Sequence, residues 1–337
     1  MKSRTKNLLS EEQIKELVKV NFGDSCQVGK VTELKGGMFN SAYLIERLKE
    51  KDEIVLKVSI VPGTKTLTYE QDLMPTEVEV YKLVAEKTEI PVPGILAYDF
   101  SKKYIPSNYF FMTALKGKAM NTVRKELSKE NTESIKAALA GYFAQLHQIK
   151  GEYFGYFTER EEYRFKTWRD AFLHMMEMLL KDGREHGIKL PYDRYEKVLA
   201  EKSGYLEAVK EPSLINYDLW PGNIFLIKDG DAYVIEGIID FERAFWGDPL
   251  ADFPPAFMLI KDLRKEIDFW NTYKEAAHFG RDLTEEDDVR LALYSLYIFT
   301  IMMVETFRYD FLYGRVQKAF SKKLAMKHLK ALEQTIL

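Results

Sequence analysis

The sharpest chemistry in this sequence lies in Leu214-Ile215-Asn216-Tyr217-Asp218-Leu219-Trp220-Pro221-Gly222-Asn223-Ile224. Asp218 and Asn223 stand five residues apart there, and seventeen residues further on an apolar run ends in Ile238-Ile239-Asp240-Phe241-Glu242. A carboxylate on a loop, here Asp218, can accept a hydrogen bond from a hydroxyl nucleophile. A carboxamide oxygen and a second carboxylate, Asn223 and Asp240, at the open end of one hairpin can share Mg2+, a hard ion that prefers oxygen ligands. Pro221 and Gly222 allow the tight bend between base and ligand. The set suits phosphoryl transfer, which asks little covalent chemistry of a protein and much positioning and charge neutralisation. Asp-x-x-x-x-Asn alone is commonly a turn aspartate and a strand-start asparagine. The apolar strand ending in Asp-Phe at hairpin distance gives it weight.

A matching half lies nearer the N-terminus. Ile54-Val55-Leu56-Lys57-Val58 puts one lysine inside an apolar strand, and a buried ammonium is costly unless paired. The next helical stretch offers Glu77 and Glu79. At helical spacing Glu77 shares a face with Val80, Tyr81 and Val84, whereas Glu79 shares one with Lys82, Leu83 and Glu86. Glu77 is therefore the expected partner of Lys57, which would reach the α- and β-phosphates; the alternative is an edge-strand lysine in solvent. Backbone N–H groups around Gly36, Gly37, Asn40 and Ser41 would cover phosphates, although such a stretch alone is an ordinary turn. It is not a P-loop: no G-x-x-x-x-G-K-[ST] occurs, and Gly63-Thr64-Lys65-Thr66 lacks the pattern.

The elements needed to position these residues can be read from periodicity. Ser10 with Gln13 forms a capping-box pattern opening a helix to about Val20. Strand character follows at Val28–Lys35, Ser41–Leu48 and Glu53–Ile60, then at Gly94–Phe100 and Tyr109–Thr113. A helix starting at Pro75 runs between them to about Lys87. From about Asn131 the pattern turns helical and is interrupted once, by a hairpin at Ile224–Ile227 and Ala232–Ile239. The expected architecture is α+β and bilobal: a β-rich N-lobe over 1–113, a hinge at 114–118, and a mainly helical C-lobe over 119–337 with an embedded β-hairpin.

Composition narrows the class. Hydrophobic residues make up 46% and charged residues 30% of 337, the profile of a soluble globular chain. The single cysteine, Cys26, cannot form an intrachain disulfide and suits a reducing compartment; a cytoplasmic location is expected. No apolar segment follows the first residues, so no signal peptide is expected. Leu291–Val304 is apolar for fourteen residues, short of the roughly 20 a bilayer span needs, and reads as a buried helix rather than a membrane segment. A net charge of −3 argues against general nucleic-acid binding. Residues 211–310 hold 20 acidic and 9 basic groups, a net of −11, and such a field can concentrate a cation; a solvated surface is the simpler alternative. Glu305 either pairs with Arg308 or faces a cationic acceptor. Asp282, Glu285, Glu286, Asp287 and Asp288 either cap a helix or rim an acceptor site. His147 reads as a structural histidine, and no two of the five histidines are spaced as a metal pair.

Taken together, these residues resemble the aminoglycoside phosphotransferase and choline kinase-like family, distant relatives of protein kinases. The resemblance spans nearly the whole chain: Gly-Gly-x-x-Asn-x-x-Tyr at Gly36–Tyr43, Lys57, the Glu77 helix, Ile90-Pro91-Val92-Pro93, Phe111-Met112-Thr113-Ala114-Leu115-Lys116-Gly117, Ala144-Gln145-Leu146-His147, the two motifs above, and Gly247-Asp248-Pro249-Leu250-Ala251-Asp252-Phe253. It implies a protein kinase-like fold and an ATP- or GTP-dependent, Mg2+-requiring phosphotransferase acting on a small hydroxylated molecule. Asp218 would be the catalytic base and Asn223 and Asp240 the metal ligands. Lys57 would contact phosphate, held by Glu77, and Met112, Thr113, Ala114 and Leu115 would receive the nucleotide base. Asp248 would brace the catalytic loop. The family usually opens that loop His-Gly-Asp; here it reads Asn216-Tyr217-Asp218. Asn216 can donate and accept in the histidine's place, and Tyr217 would reshape the floor of the acceptor site. The acidic stretch makes a cationic acceptor, an aminoglycoside or amino alcohol, the first expectation. A neutral or metabolic acceptor such as a macrolide, sugar or glycated amine is the second, with Trp246, Trp270, Tyr273, Tyr294 and Tyr297 available for stacking. A nucleotide-binding scaffold without catalysis is the rival class.

Overall fold

The computed structural model describes residues 6–35, 39–158 and 160–335. Its N-terminal part is an antiparallel sheet of β1 (Val28–Glu33), β2 (Ser41–Arg47), β3 (Asp52–Val58), β4 (Ile95–Asp99) and β5 (Tyr109–Thr113), in the order β1-β2-β3-β5-β4. Helix α1 (Glu11–Phe22) covers one face. Ser10 and Gln13 close a reciprocal capping box at its start, and Ile14, Leu17 and Val18 pack on Tyr43, Leu56 and Phe111. Helix α2 (Leu73–Lys87) lies on the other face, burying Glu77, Val78, Val80, Tyr81 and Val84. It begins two residues before Pro75, which is free to sit third because the first four N–H groups of a helix have no intrahelical acceptor.

The chain then crosses by β6 (Lys118–Ala119) and the short α3 (Met120–Val123) into a helical part: α4 (Lys129–Gln148), β7 (Gly155–Tyr156), α5 (Trp168–Glu185), α6 (Tyr192–Lys202) and β8 (Ser213–Ile215). After β9 (Ile224–Asp229), β10 (Ala232–Ile238) and β11 (Phe245–Gly247) it continues through α7 (Ile267–Ala276), α8 (Glu285–Val304) and α9 (Phe311–Gln334). Two small sheets join these pieces. One is the hairpin β9–β10, extended by β6 in the order β10-β9-β6; the other is β7-β11-β8. The linker expected at 114–118 is stapled to that hairpin. Lys116 and Gly117 donate their N–H groups to Glu236, and Lys118 pairs with Leu226. Gly117 approaches so closely that a Cβ would stand 2.3 Å from the Leu226 carbonyl oxygen, so only glycine fits.

Helix α8 is the apolar segment seen in the sequence. Thr284 and Asp287 close a capping box at its start. Residues 285–308 are long and apolar enough to cross a membrane, but 83% of that window is buried inside the fold, mainly against α9 and α5. The chain thus has a β-sheet N-terminal region and a helical C-terminal part, with a continuous core running between them.

Candidate active site

Lys57, in mid-β3, points off the sheet toward α2. Its ammonium donates to Glu77 at 2.7 and 2.9 Å, to Asp240 at 2.7 Å and to Glu242 at 3.3 Å. Glu79 is on the outer face of α2, where it pairs with Lys82 at 3.2 Å. Burial alone would lower the pKa of Lys57, but Asp240, Glu77 and Glu242 outweigh it and hold the ammonium well above the ordinary lysine value. Glu77, nearly fully buried, is pushed up to about 8 by desolvation, opposed by Lys57 and reinforced by Asp240 and Glu242. Three carboxylates therefore share one ammonium.

Asp218 stands on the loop after β8. Its N–H donates to the Asn216 side-chain oxygen at 2.8 Å, and the Asn223 amide donates to its carbonyl at 2.9 Å and to its carboxylate at 3.3 Å. Burial lifts its pKa to about 8; Arg243 opposes this, and Asp240, Glu242 and Glu305 add to it. Asn223 in turn accepts the Ile239 N–H at 2.9 Å through its backbone carbonyl, tying the loop to the end of β10, and the Asp240 N–H donates to Tyr81 at 3.0 Å. Asp240 has φ of +70°, the left-handed region. There the strand ends and the carboxylate turns toward Lys57.

Lys57, Glu77, Asn40, Met112, Thr113, Leu115, Asp218, Asn223 and Asp240 all line one cavity of about 1600 Å3. In the connecting strand, Thr113 N–H donates to Gly94 and Ala114 N–H to Glu53, while the Leu115 N–H has no partner among the described residues. Ala114 itself is not on the cavity wall, and Ser41 is fully buried in β2 away from it. Asn40 reaches the site through its side chain, donating to Glu242 at 2.9 Å. Gly36 and Gly37 lie outside the described residues.

Several expectations need correction. The residue bracing the catalytic loop is Asp252, not Asp248. Asp252 accepts the N–H groups of Tyr217 at 2.6 Å and Asn216 at 3.0 Å, and contacts His147 at 3.0 Å. Asp248 starts the 3-10 turn Pro249–Asp252, where it accepts the Leu250 N–H at 3.1 Å, and it holds Arg290 and the Tyr294 hydroxyl. Tyr217 does not shape a cavity floor. It is 2% exposed, packs on Phe245 and Tyr297, and donates to the Tyr294 carbonyl at 2.9 Å. Asn216 supports Asp218 through its oxygen, but its buried amide nitrogen has no partner among the described residues. Trp246, Trp270, Tyr273, Tyr294 and Tyr297 are all core residues and none lines the main cavity. Glu305 pairs with Arg308 at 2.9 Å and also with Arg243 at 3.1 Å. The sequence reading gave Glu242 and Arg243 no role; both follow Asp240 directly and face the same cavity.

The donor set fits a hard divalent cation. Carboxylate oxygens of Glu77, Asp240 and Glu242 lie within 4.8 Å of one another. Burial and this crowding raise Glu77 and Glu242, and a cation would relieve the crowding. Asn223 lines the same cavity as Asp240.

A sheet-borne lysine on a helix glutamate thus faces a loop aspartate and a strand-end aspartate across one cleft, the arrangement expected of a kinase-like fold. A profile of the phosphotransferase enzyme family (APH) matches residues 30–290, and the chain belongs to that family. No curated protein sequence matches it. Among solved structures it is similar to a thermostable mutant of aminoglycoside phosphotransferase APH(4)-Ia in ternary complex with AMP-PNP and hygromycin B (TM-score 0.63, 16% identity, covering 96% of this chain and 100% of that one). It is also similar to a putative aminoglycoside phosphotransferase from Ralstonia eutropha JMP134 (TM-score 0.65, 12% identity, 97% and 99% covered). A third is aminoglycoside 2'-phosphotransferase-IIIa in complex with GDP (TM-score 0.64, 14% identity, 96% and 99% covered). The protein is a phosphotransferase of that family.

Proposed function

We propose that the protein transfers the γ-phosphoryl group of ATP or GTP, presented with Mg2+, to a hydroxyl of a small organic acceptor. The observation that carries this reading is the Lys57 ammonium held between Glu77 and Asp240 in the cavity that also contains Asp218. Residues 114–118 act as the hinge, and the base lies between the apolar side chains of Val55 and Ile239 with the Leu115 N–H as donor. Lys57, kept cationic by its carboxylates, binds the α- and β-phosphates, and Glu77 fixes its position. Asn223 and Asp240 would hold Mg2+, which when bound neutralises phosphate charge. Asp218 accepts a hydrogen bond from the acceptor hydroxyl, aims its oxygen at the γ-phosphorus and receives its proton as the bond to the leaving diphosphate breaks. A single cysteine and a nucleotide donor suit the cytoplasm.

The acceptor was first expected to be cationic, as for hygromycin B or kanamycin, the compounds bound by structural neighbours. The pairing of Glu305 with Arg243 and Arg308 favours the second expectation, a neutral acceptor. The test is nucleotide binding and turnover by the purified chain. ATP or GTP hydrolysis in MgCl2 should disappear in both Asp218→Asn and Asp240→Asn, with nucleotide binding kept in the former. Activity indifferent to both substitutions would remove this assignment, and binding without turnover of any acceptor would favour the scaffold.

A further inference from the structure

A drug-sized ligand pocket is usually about 300–1,000 Å3; the cavity here measures about 1600 Å3 and continues well past the nucleotide half. Beyond Asp218 it runs between the segment 253–263, α8 and α9 from Tyr313 to His328. The walls of this outer half are mainly apolar, with Phe257, Leu291, Ile298, Phe299, Met302 and Phe320 facing the space. Lys261, Ser295, Gln317 and Lys327 are among the polar lining. Phe257 packs on Phe299 at 5.3 Å and on Phe320 at 6.0 Å between ring centroids, so the three rings form one surface. Phe320 is 45% exposed and Met258 36% exposed at the mouth.

The carboxylates that line the outer half are already engaged. Glu305, 4% exposed, accepts from Arg243, Arg308 and Gln317 at 3.1, 2.9 and 2.8 Å. Arg308 is also held by Glu70 at 2.7 Å, so two arginines and two glutamates balance. At the rim Asp288 is taken by Arg264 at 2.8 Å and Asp262 by Lys265 at 2.9 Å. An ammonium entering this channel would lose water and, among the described residues, find each outer carboxylate already paired, and desolvating an unpaired charge is among the costliest steps in binding. The channel also holds His328, stacked on Phe299, whose ring burial keeps neutral at ordinary pH.

We propose that the acceptor is a bulky, largely apolar alcohol, seated in the channel between the 253–263 segment, α8 and α9 with its hydroxyl at Asp218. This rests on the phosphotransferase reading above and names the substrate class for that same site. In the reaction the acceptor O–H bond breaks and its proton passes to Asp218. The oxygen bonds to the γ-phosphorus, and the bond from that phosphorus to the β–γ bridging oxygen breaks, releasing nucleoside diphosphate.

The experiment uses the full chain with ATP or GTP and MgCl2. Candidate acceptors are hydroxylated macrolactones, steroid alcohols and dodecanol, run against kanamycin and choline. Diphosphate release and the mass of the phosphorylated product are read together. ADP binding is followed in parallel. At least one apolar alcohol should raise diphosphate release tenfold or more and appear as its phosphate ester, while kanamycin and choline do neither. Phe320→Asp, at the exposed mouth where folding tolerates a charge, should raise KM for that alcohol by an order of magnitude or more without altering the circular dichroism spectrum. Phosphorylation of kanamycin or choline with none of the apolar alcohols, or an unchanged KM in Phe320→Asp, overturns the apolar acceptor and leaves the phosphotransferase standing. Absence of both ADP binding and phosphate transfer overturns the two together.

Discussion

Asp252→Asn tests how the catalytic loop is held. In the parent the carboxylate of Asp252, fully buried, takes the Tyr217 N–H at 2.6 Å, the Asn216 N–H at 3.0 Å and the His147 ring at 3.0 Å. An amide offers one oxygen in place of two and turns an N–H donor toward a donor. Hydrogen bonds to charged groups contribute about 1.5–3 kcal/mol each, and an orphaned buried donor costs a similar amount, so the variant should lose about 2–4 kcal/mol in a urea melt. Whichever way the amide sits, one of the two N–H bonds that fix the residues before Asp218 is lost. A displacement near 1 Å at the reacting group costs on the order of 100-fold, and ATP hydrolysis by the folded fraction should fall by about that much. Nucleotide affinity should stay near the parent value, because Lys57 and the connecting strand do not touch Asp252. Asp248→Asn is the matched control. It strips Arg290 and the Tyr294 hydroxyl of an ionised partner and should destabilise comparably while sparing the hydrolysis rate. If Asp248→Asn lowers the rate as much as Asp252→Asn, or Asp252→Asn leaves it intact, the assignment of the brace is wrong.

Further perturbations separate the other groups. Glu77→Ala should lower nucleotide turnover by about 10²–10³, the usual cost of disturbing one electrostatic contact at a phosphate, whereas Glu79→Ala, two residues away and exposed, should shift stability by less than about 0.5 kcal/mol. Equal effects in turnover assays would show that the Lys57 pairing is incidental. Burial, with Lys327 adding to it, lowers His328 to about 4 from the ordinary 6.5. The unfolded chain therefore binds a proton that the folded chain refuses. That stability is present in full above about pH 6.5 and fades as pH falls toward 4, by about 1–3 kcal/mol once the ring's partial exposure is allowed for. His328→Phe should flatten this part of the stability–pH profile measured by urea melts; parallel profiles for the two proteins would contradict it.

The lysine–glutamate pair could be read from sequence because both constraints are local: an ammonium inside an apolar strand demands a partner, and helical spacing puts only one of two glutamates on the buried face. The β9–β10 hairpin likewise follows from its two strand-like runs and the turn Lys228-Asp229-Gly230-Asp231 between them. The identity of the brace did not follow, since Asp248 and Asp252 occupy one motif four residues apart. Asp248 spends one oxygen capping the intervening 3-10 turn and the other on Arg290, and that turn swings Asp252 beneath the loop. Tyr217 misled for a related reason. Its φ of +60° is a conformation glycine adopts freely, which fits the position of a family glycine, but composition alone does not show that the phenol leaves through the core instead of through the site.

The acidic excess over 211–310 has a different status. A window sum treats charges as a field, and a field reaches a ligand only if its sources are not neutralised nearby. Here Arg243 and Arg308 sit on Glu305, Arg290 on Asp248, Arg281 on Asp287 and Arg264 on Asp288, all inside the window. From outside it, Lys136 reaches Glu266. Of the acidic groups that remain, most lie on the outer surface, and those that face the cleft gather where Asp240 and Glu242 join Glu77 around one lysine. Inside the cleft, therefore, the carboxylates crowd beside Lys57, where a divalent cation would be drawn, while those on the apolar side proposed for the acceptor are held by arginines.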